Sequence, residues 1–130
     1  MFGFNNKKMF TVGLGDPGAD KNITLLRGPA GGMVIENLWA SNGVALTNGA
    51  GTGLTFTVYN GGTSGTAQTV VGSALGGTTV AWTAQLPKSF SLSANLEIGE
   101  GEFLWVAYDE EGTVAPFVTI GGQYRLGSLS

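Results

Sequence analysis

The alternation of apolar and polar positions is strongest at Phe90-Ser91-Leu92-Ser93-Ala94-Asn95-Leu96-Glu97-Ile98. There Phe90, Leu92, Ala94, Leu96 and Ile98 fall on one face, and Ser91, Ser93, Asn95 and Glu97 on the other. Such a period of two predicts a strand with one buried and one wet face. Gly99-Glu100-Gly101 predicts a turn after it. Glu102 to Tyr108 follows, apolar on both faces and rich in aromatic and β-branched residues, which predicts a central strand covered on each side. Asp109-Glu110-Glu111-Gly112 predicts a hairpin tip, and Thr113 to Ile120 a returning strand. Gly121-Gly122 and Gln123 to Leu126 close what reads as an antiparallel meander.

Leu54 to Tyr59 alternates in the same way, with Leu54, Phe56 and Val58 inward and Tyr59 outward; Asn60-Gly61-Gly62 stops it. Met33 to Ala40 predicts another strand, ended by Ser41-Asn42-Gly43. Phe10 to Leu14, Ile23 to Arg27, Val70-Val71 and Thr78 to Thr83 bring the expected total to eight or nine. Turn signals at Asp16-Pro17-Gly18, Gly28-Pro29, Asn42-Gly43, Asn48-Gly49, Asn60-Gly61 and Gly76-Gly77 recur at intervals suited to a sandwich or barrel. No segment carries the i, i+3, i+4, i+7 spacing of a helix longer than a turn or two, and no fixed-period repeat is present. The expectation is an all-β, single-domain antiparallel β-sandwich spanning residues 9–127, with residues 1–8 as an N-terminal arm and 128–130 as a tail. Phe2 and Phe4 in that arm suit docking against a partner; a strand that begins early, or an untethered tail, fits the same residues.

Charge changes the picture. Between Gly28 and Pro87 the only ionised side chain is Glu36. No apolar run there approaches the roughly 18–20 residues of a membrane span, and its apolar bulk argues against disorder. A polar but uncharged surface suits lasting contact with protein, because no ions need be desolvated when it is covered. The net charge of −3 with six scattered cations leaves no basic stripe for nucleic acid. The N-terminus lacks the apolar core of a secretory signal, so synthesis and retention in the cytoplasm are expected unless the chain leaves as part of a larger particle. On the same ground the sequon Asn22-Ile23-Thr24 is not expected to carry a glycan.

Candidate chemistry is sparse. Cysteine and histidine are absent, which removes disulfides, thiolate sites, His-based triads and the commonest metal ligand. Gly13-Leu14-Gly15-Asp16-Pro17-Gly18 matches G-x-G-x-x-G, but two acids and a strand-like stretch follow where a phosphate would need a helix N-terminus. Neither Asp16 with Asp20 nor Asp109 with Glu110 and Glu111 has calcium-loop spacing, and both read as solvated turns, as do Glu97, Glu100 and Glu102. Lysines are not placed beside a serine in a strained elbow. No catalytic, cofactor or metal residue is assigned. Among the aromatics, Trp39 and Trp105 read as core within apolar strands, Trp82 is undecided, and Tyr59 is the best candidate for an exposed contact.

Ile98-Gly99-Glu100-Gly101-Glu102-Phe103-Leu104-Trp105-Val106-Ala107-Tyr108 resembles the late strand pair of jelly-roll domains in tailed-bacteriophage structural proteins, and the Thr-rich strands around Thr52 to Gly62 have the same flavour. The resemblance implies a jelly roll of about eight strands and a head-decoration (cement) protein, generally a homotrimer. Such a protein sits on the capsid exterior against the major capsid protein, without nucleic acid, membrane or cofactor. Partner contacts are expected from Phe2, Phe4 and Tyr59. A carbohydrate- or receptor-binding head of a fibre or adhesin, or a tail or neck component, are the alternatives.

Overall fold

The computed structural model describes residues 7–15, 21–43, 54–76, 86–110 and 118–127. Two antiparallel sheets face each other across one core, and the described residues contain no helix. The strands are β1 (Lys7–Gly15), β2 (Lys21–Arg27), β3 (Met33–Asn42), β4 (Leu54–Asn60), β5 (Thr69–Gly76), β6 (Lys88–Ser89), β7 (Ser91–Leu92), β8 (Glu97–Ile98), β9 (Phe103–Glu110) and β10 (Val118–Leu126). The first sheet runs β1-β10-β3-β6, with β8 also on β3; the second runs β2-β9-β4-β5-β7. Successive strands, the short β6, β7 and β8 included, cross from one sheet to the other, except for the β4–β5 hairpin. With β6 and β8 sharing one position beside β3, and the two-residue β7 added at the margin of β5, this is a jelly roll with eight main strand positions.

The core consists of the inward residues of both sheets. Met33, Ile35, Leu38, Ala40, Val118 and Ile120 come from the first; Phe56, Val58, Val71, Leu104, Val106 and Tyr108 come from the second. A bulge in β3 lets the inward set change parity. Asn37 pairs with Gln123 and Ile35 with Tyr124, so Glu36 is the extra residue, and both Ile35 and Leu38 point inward. A second bulge in β2 makes Leu25 the extra residue between Thr24, opposite Trp105, and Leu26, opposite Leu104.

Three local expectations are corrected. Phe90 to Ile98 is not one strand. Lys88 and Ser89 pair with β3, Ser91 and Leu92 cross to β5, and Glu97 and Ile98 return to β3. The detour is held by side chains that the alternation does not reveal. The Val70 carbonyl accepts from Ser93 Oγ (2.6 Å) and Asn95 Nδ2 (3.2 Å), and the Val71 carbonyl from Ser93 N (2.7 Å). Phe90 and Ile98 are consequently buried while Leu92 and Ala94 are exposed.

The returning strand does not stop at Ile120, because Gly121-Gly122 is the middle of β10. A Cβ on Gly121 would enter the Trp39 ring, and one on Gly122 would meet the Asn37 carbonyl, Leu38 and Phe10. Two large side chains lie flat on this strand, one on each face, and glycine is what leaves them room. Finally, the C-terminal strands do not form a meander. β9 lies between β2 and β4, whereas β10 lies between β1 and β3. Asp109 therefore ends a strand whose chain crosses to the other sheet and is not at a hairpin tip. The expected strand Thr78 to Thr83, with Trp82, lies outside the described residues.

The strand register gives the sandwich two distinct ends. Gly15, Lys21, Asn42, Leu54, Gly76, Glu110 and Val118 lie at one; Lys7, Arg27, Met33, Asn60, Thr69, Phe103 and Leu126 lie at the other. The second end is stitched by short hydrogen-bonded loops. Gly28 N donates to the Glu102 carbonyl (2.7 Å), Gly101 N to the Gly28 carbonyl (3.0 Å), Gly61 N to the Phe103 carbonyl (2.7 Å) and Gly127 N to the Gly32 carbonyl (3.0 Å). Glu102, expected only to solvate a turn, is part of this stitching. Its Oε1 accepts from Gly99 N (2.5 Å) and Asn60 Nδ2 (3.1 Å), and Asn60 Oδ1 accepts from Gly62 N (2.9 Å). Glu102→Ala strands these part-buried donors and is expected to cost about 1–3 kcal/mol. In urea unfolding, Glu102→Gln should lose less, and the exposed Glu100→Ala should stay within about 0.5 kcal/mol of the parent.

Candidate interaction face

Cross-strand neighbours in the second sheet define its outer surface, because opposed residues share a face. Asn22 lies opposite Ala107 and Thr24 opposite Trp105. Thr55 lies opposite Asp109, Thr57 opposite Ala107 and Ser73, and Tyr59 opposite Trp105 and Val70. Around the centre of this face the side chains are Asn, Thr, Ser and Ala. Asp109 stands at one end of β9 and Arg27 at the other, beside Phe103. The one charge of the long uncharged stretch, Glu36, is on the first sheet, where Lys7 (3.6 Å) and Arg125 (3.8 Å) bracket it. These part-exposed pairs contribute little to stability, but they leave the second sheet's outer surface without Glu36.

The lower half of that surface is raised. The β4–β5 connection folds back over it, so that the Ala67 carbonyl accepts from Trp105 Nε1 (3.1 Å). A Cβ on Gly61 would come within 2.8 Å of Trp105 Cδ1, and one on Gly65 within 3.5 Å of the Phe103 ring. Gly62 (φ 67°) and Gly65 (φ 81°) supply the left-handed backbone this reversal needs. Tyr59 and Trp105 stack with ring centroids 4.6 Å apart.

Trp105 is thus 7% exposed, as burial in the apolar strand predicted, but it lies outside the inner core, beneath the loop. Trp39 likewise sits on the outer face of the first sheet, half-buried over Gly121. Tyr59 points outward as its alternation predicted, and its ring packs against Trp105. Phe2 and Phe4 lie outside the described residues. Arg27 was not singled out in the sequence, and Asp109 only as part of a solvated turn. The signal for them is pairwise: each is an ion on a face whose other described strand residues are uncharged polar, apolar or aromatic.

Two depressions flank the raised loop. A cleft of about 270 Å³ is lined by Asn22, Ile23, Thr24, Gly65, Thr66, Gln68 and Trp105. A larger groove of about 600 Å³ lies between Arg27, Pro29, Thr63, Glu100 and Phe103; there the Arg27 guanidinium carbon is 5.9 Å from the Phe103 ring centroid. Among the described residues no group of three acidic residues is placed to hold a metal ion.

The edges of both sheets are guarded. Of the six cations, Lys7 and Lys8 lie on β1, Lys21 and Arg27 on β2, and Lys88 on β6, all strands at sheet margins. β1 and β2 also carry bulges, and Ser93 and Asn95 occupy the Val70 carbonyl at the β5 margin. Charges and bulges at edges discourage strand addition. The few lysines thus stand where pairing with another chain would occur, so any association is directed to faces.

No family model matches the chain, and no curated protein matches it. Among solved structures, a chain of empty-head turnip yellow mosaic virus is similar over 94% of this chain and 79% of its own, at 13% identity and a TM-score of 0.41. A likeness at that level carries no functional weight.

Proposed function

We propose that this chain is a structural virion protein that decorates and braces a phage capsid from the outside. Its contacts, with the major capsid protein and with its own copies, are non-covalent. The observation that carries the reading is the ion-poor outer face of the second sheet, set between guarded edges. Thr, Ser and Asn side chains can both donate and accept hydrogen bonds, so such a face meets another protein without stripping water from ions. A capsid repeats the same contact at fixed geometry, so weak individual contacts add up to firm attachment. The phage-decoration part of the reading comes from the resemblance of Ile98 to Tyr108. The role is not catalytic, and the proposed location is the capsid exterior after synthesis in the host cytoplasm.

Phage heads assembled with and without the chain provide the test. The chain is expected to sediment with heads at a fixed ratio to the capsid subunit and to raise their melting temperature. A chain that stays in the supernatant and leaves the heads unchanged overturns the proposal. Deleting residues 1–6, which leaves β1 whole, should lower occupancy if the Phe2/Phe4 arm docks on the shell; unchanged occupancy removes the arm from the mechanism.

The cleft beside Trp105 supports the second reading, a saccharide-binding head. Under that reading, monosaccharides should quench tryptophan emission in the parent and not in Trp105→Phe. Under the decoration reading the ring, covered by Tyr59 and the loop, should not respond.

A further inference from the structure

We infer that the outer face of the second sheet is self-complementary and pairs with the same face of a second copy about a two-fold axis perpendicular to the strands. The inference rests on the reading of this face as a contact surface and names its partner. Two features of the face support it independently.

The first is charge. Arg27 and Asp109 are both exposed and have no ion pair among the described residues. Arg27 lies opposite Phe103, at the other end of β9 from Asp109, so they stand roughly 20 Å apart at about 3.3 Å per residue. A two-fold axis across the strands sets β9 of one copy antiparallel over β9 of the other. Each Asp109 then faces the partner copy's Phe103 end, one strand spacing (about 4.8 Å) from its Arg27. The flexible arginine spans that offset. One rotation satisfies both lone ions twice.

The second is relief. The loop from Gly61 to Gln68 raises the half of the face near Arg27, covering Phe103 and Trp105. The half near Asp109, with Asn22, Thr55, Thr57 and Ala107, carries no such cover among the described residues. The same rotation lays the raised half of each copy on the low half of the other, and the hydroxyls there can donate and accept in either direction. Guarded edges leave this face as the route to association.

The sheet face measures roughly 19 by 23 Å in projection, about half of the ~800 Å² per partner of a standard interface. The isolated pair is therefore weak, and its formation should be followed up to high protein concentration at low salt. The contact is two-fold, in place of the three-fold set that the resemblance implied.

Sedimentation equilibrium tests the inference. The parent is expected to pass from the 13.3 kDa chain mass to twice that value as concentration rises. Arg27→Asp and Asp109→Arg should each weaken the pair about tenfold, and the double reversal should restore most of the loss. Thr57→Lys should abolish pairing with an unchanged circular dichroism spectrum. A monomer at every concentration, a trimer, or a double reversal no better than either single variant overturns the inference. Head binding, measured separately by co-sedimentation, shows whether the decoration reading stands without it.

Discussion

Phe56→Ala is expected to remove about 3–5 kcal/mol of folding free energy, a large part of the roughly 5–15 kcal/mol a domain possesses. Phe56 has no exposed surface and sits at the centre of an aromatic cluster, with ring centroids 5.5 Å from Tyr108 and 6.4 Å from Phe90. The three rings come from β4, β9 and the residue between β6 and β7, so the cluster joins the second sheet to the segment that crosses between the sheets. Truncation leaves a cavity that these rings cannot close without leaving their strands' registers. Urea unfolding should show a much lower midpoint with an unchanged slope. Phe56→Leu, which retains most of the volume, should lose about 1.5 kcal/mol or less.

Gly28→Ala is the second large effect, and it acts through backbone. The added Cβ would run into the Gly99 carbonyl oxygen and stand 2.9 Å from its carbon. Neither segment can retreat freely, because Gly28 N is bonded to the Glu102 carbonyl and Gly101 N to the Gly28 carbonyl. Overpacking of this kind costs about 1–3 kcal/mol, and each hydrogen bond given up to relieve it adds about 1 kcal/mol more. A melting temperature well below the parent's is expected. Gly13→Ala supplies the control, since a Cβ there meets nothing within 4 Å. A loss at Gly13 as large as at Gly28 would show that helix-and-strand propensity, not collision, governs both.

Much of this architecture was visible in residue order alone. Alternation placed β4 and sent Tyr59 outward, because period-two patterns report which face a side chain takes, and apolar segments placed β3 and β9. They do not report which sheet a strand joins. Phe90 to Ile98 alternates as well as any strand, but Ser93 and Asn95 spend their polar groups on the Val70 carbonyl and pull its middle into the other sheet. Gly121-Gly122 reads as the end of a strand until Trp39 and Phe10 are known to lie against it. The interaction face was legible as an absence of charge. The placing of Arg27 and Asp109 at opposite ends of that face was not, because those positions are 82 residues apart in sequence and share a face only through the β2–β9 register.

The interleaving of strands also governs when structure can appear. β9 and β10, the last two strands, are inserted between partners made much earlier: β9 between β2 and β4, β10 between β1 and β3. A chain emerging from the ribosome can close the β4–β5 hairpin, but neither sheet is continuous until its C-terminal quarter has been released. Folding therefore waits for these two strands, and the dependence on distant pairings sets it at the slow end of the range for domains of this size.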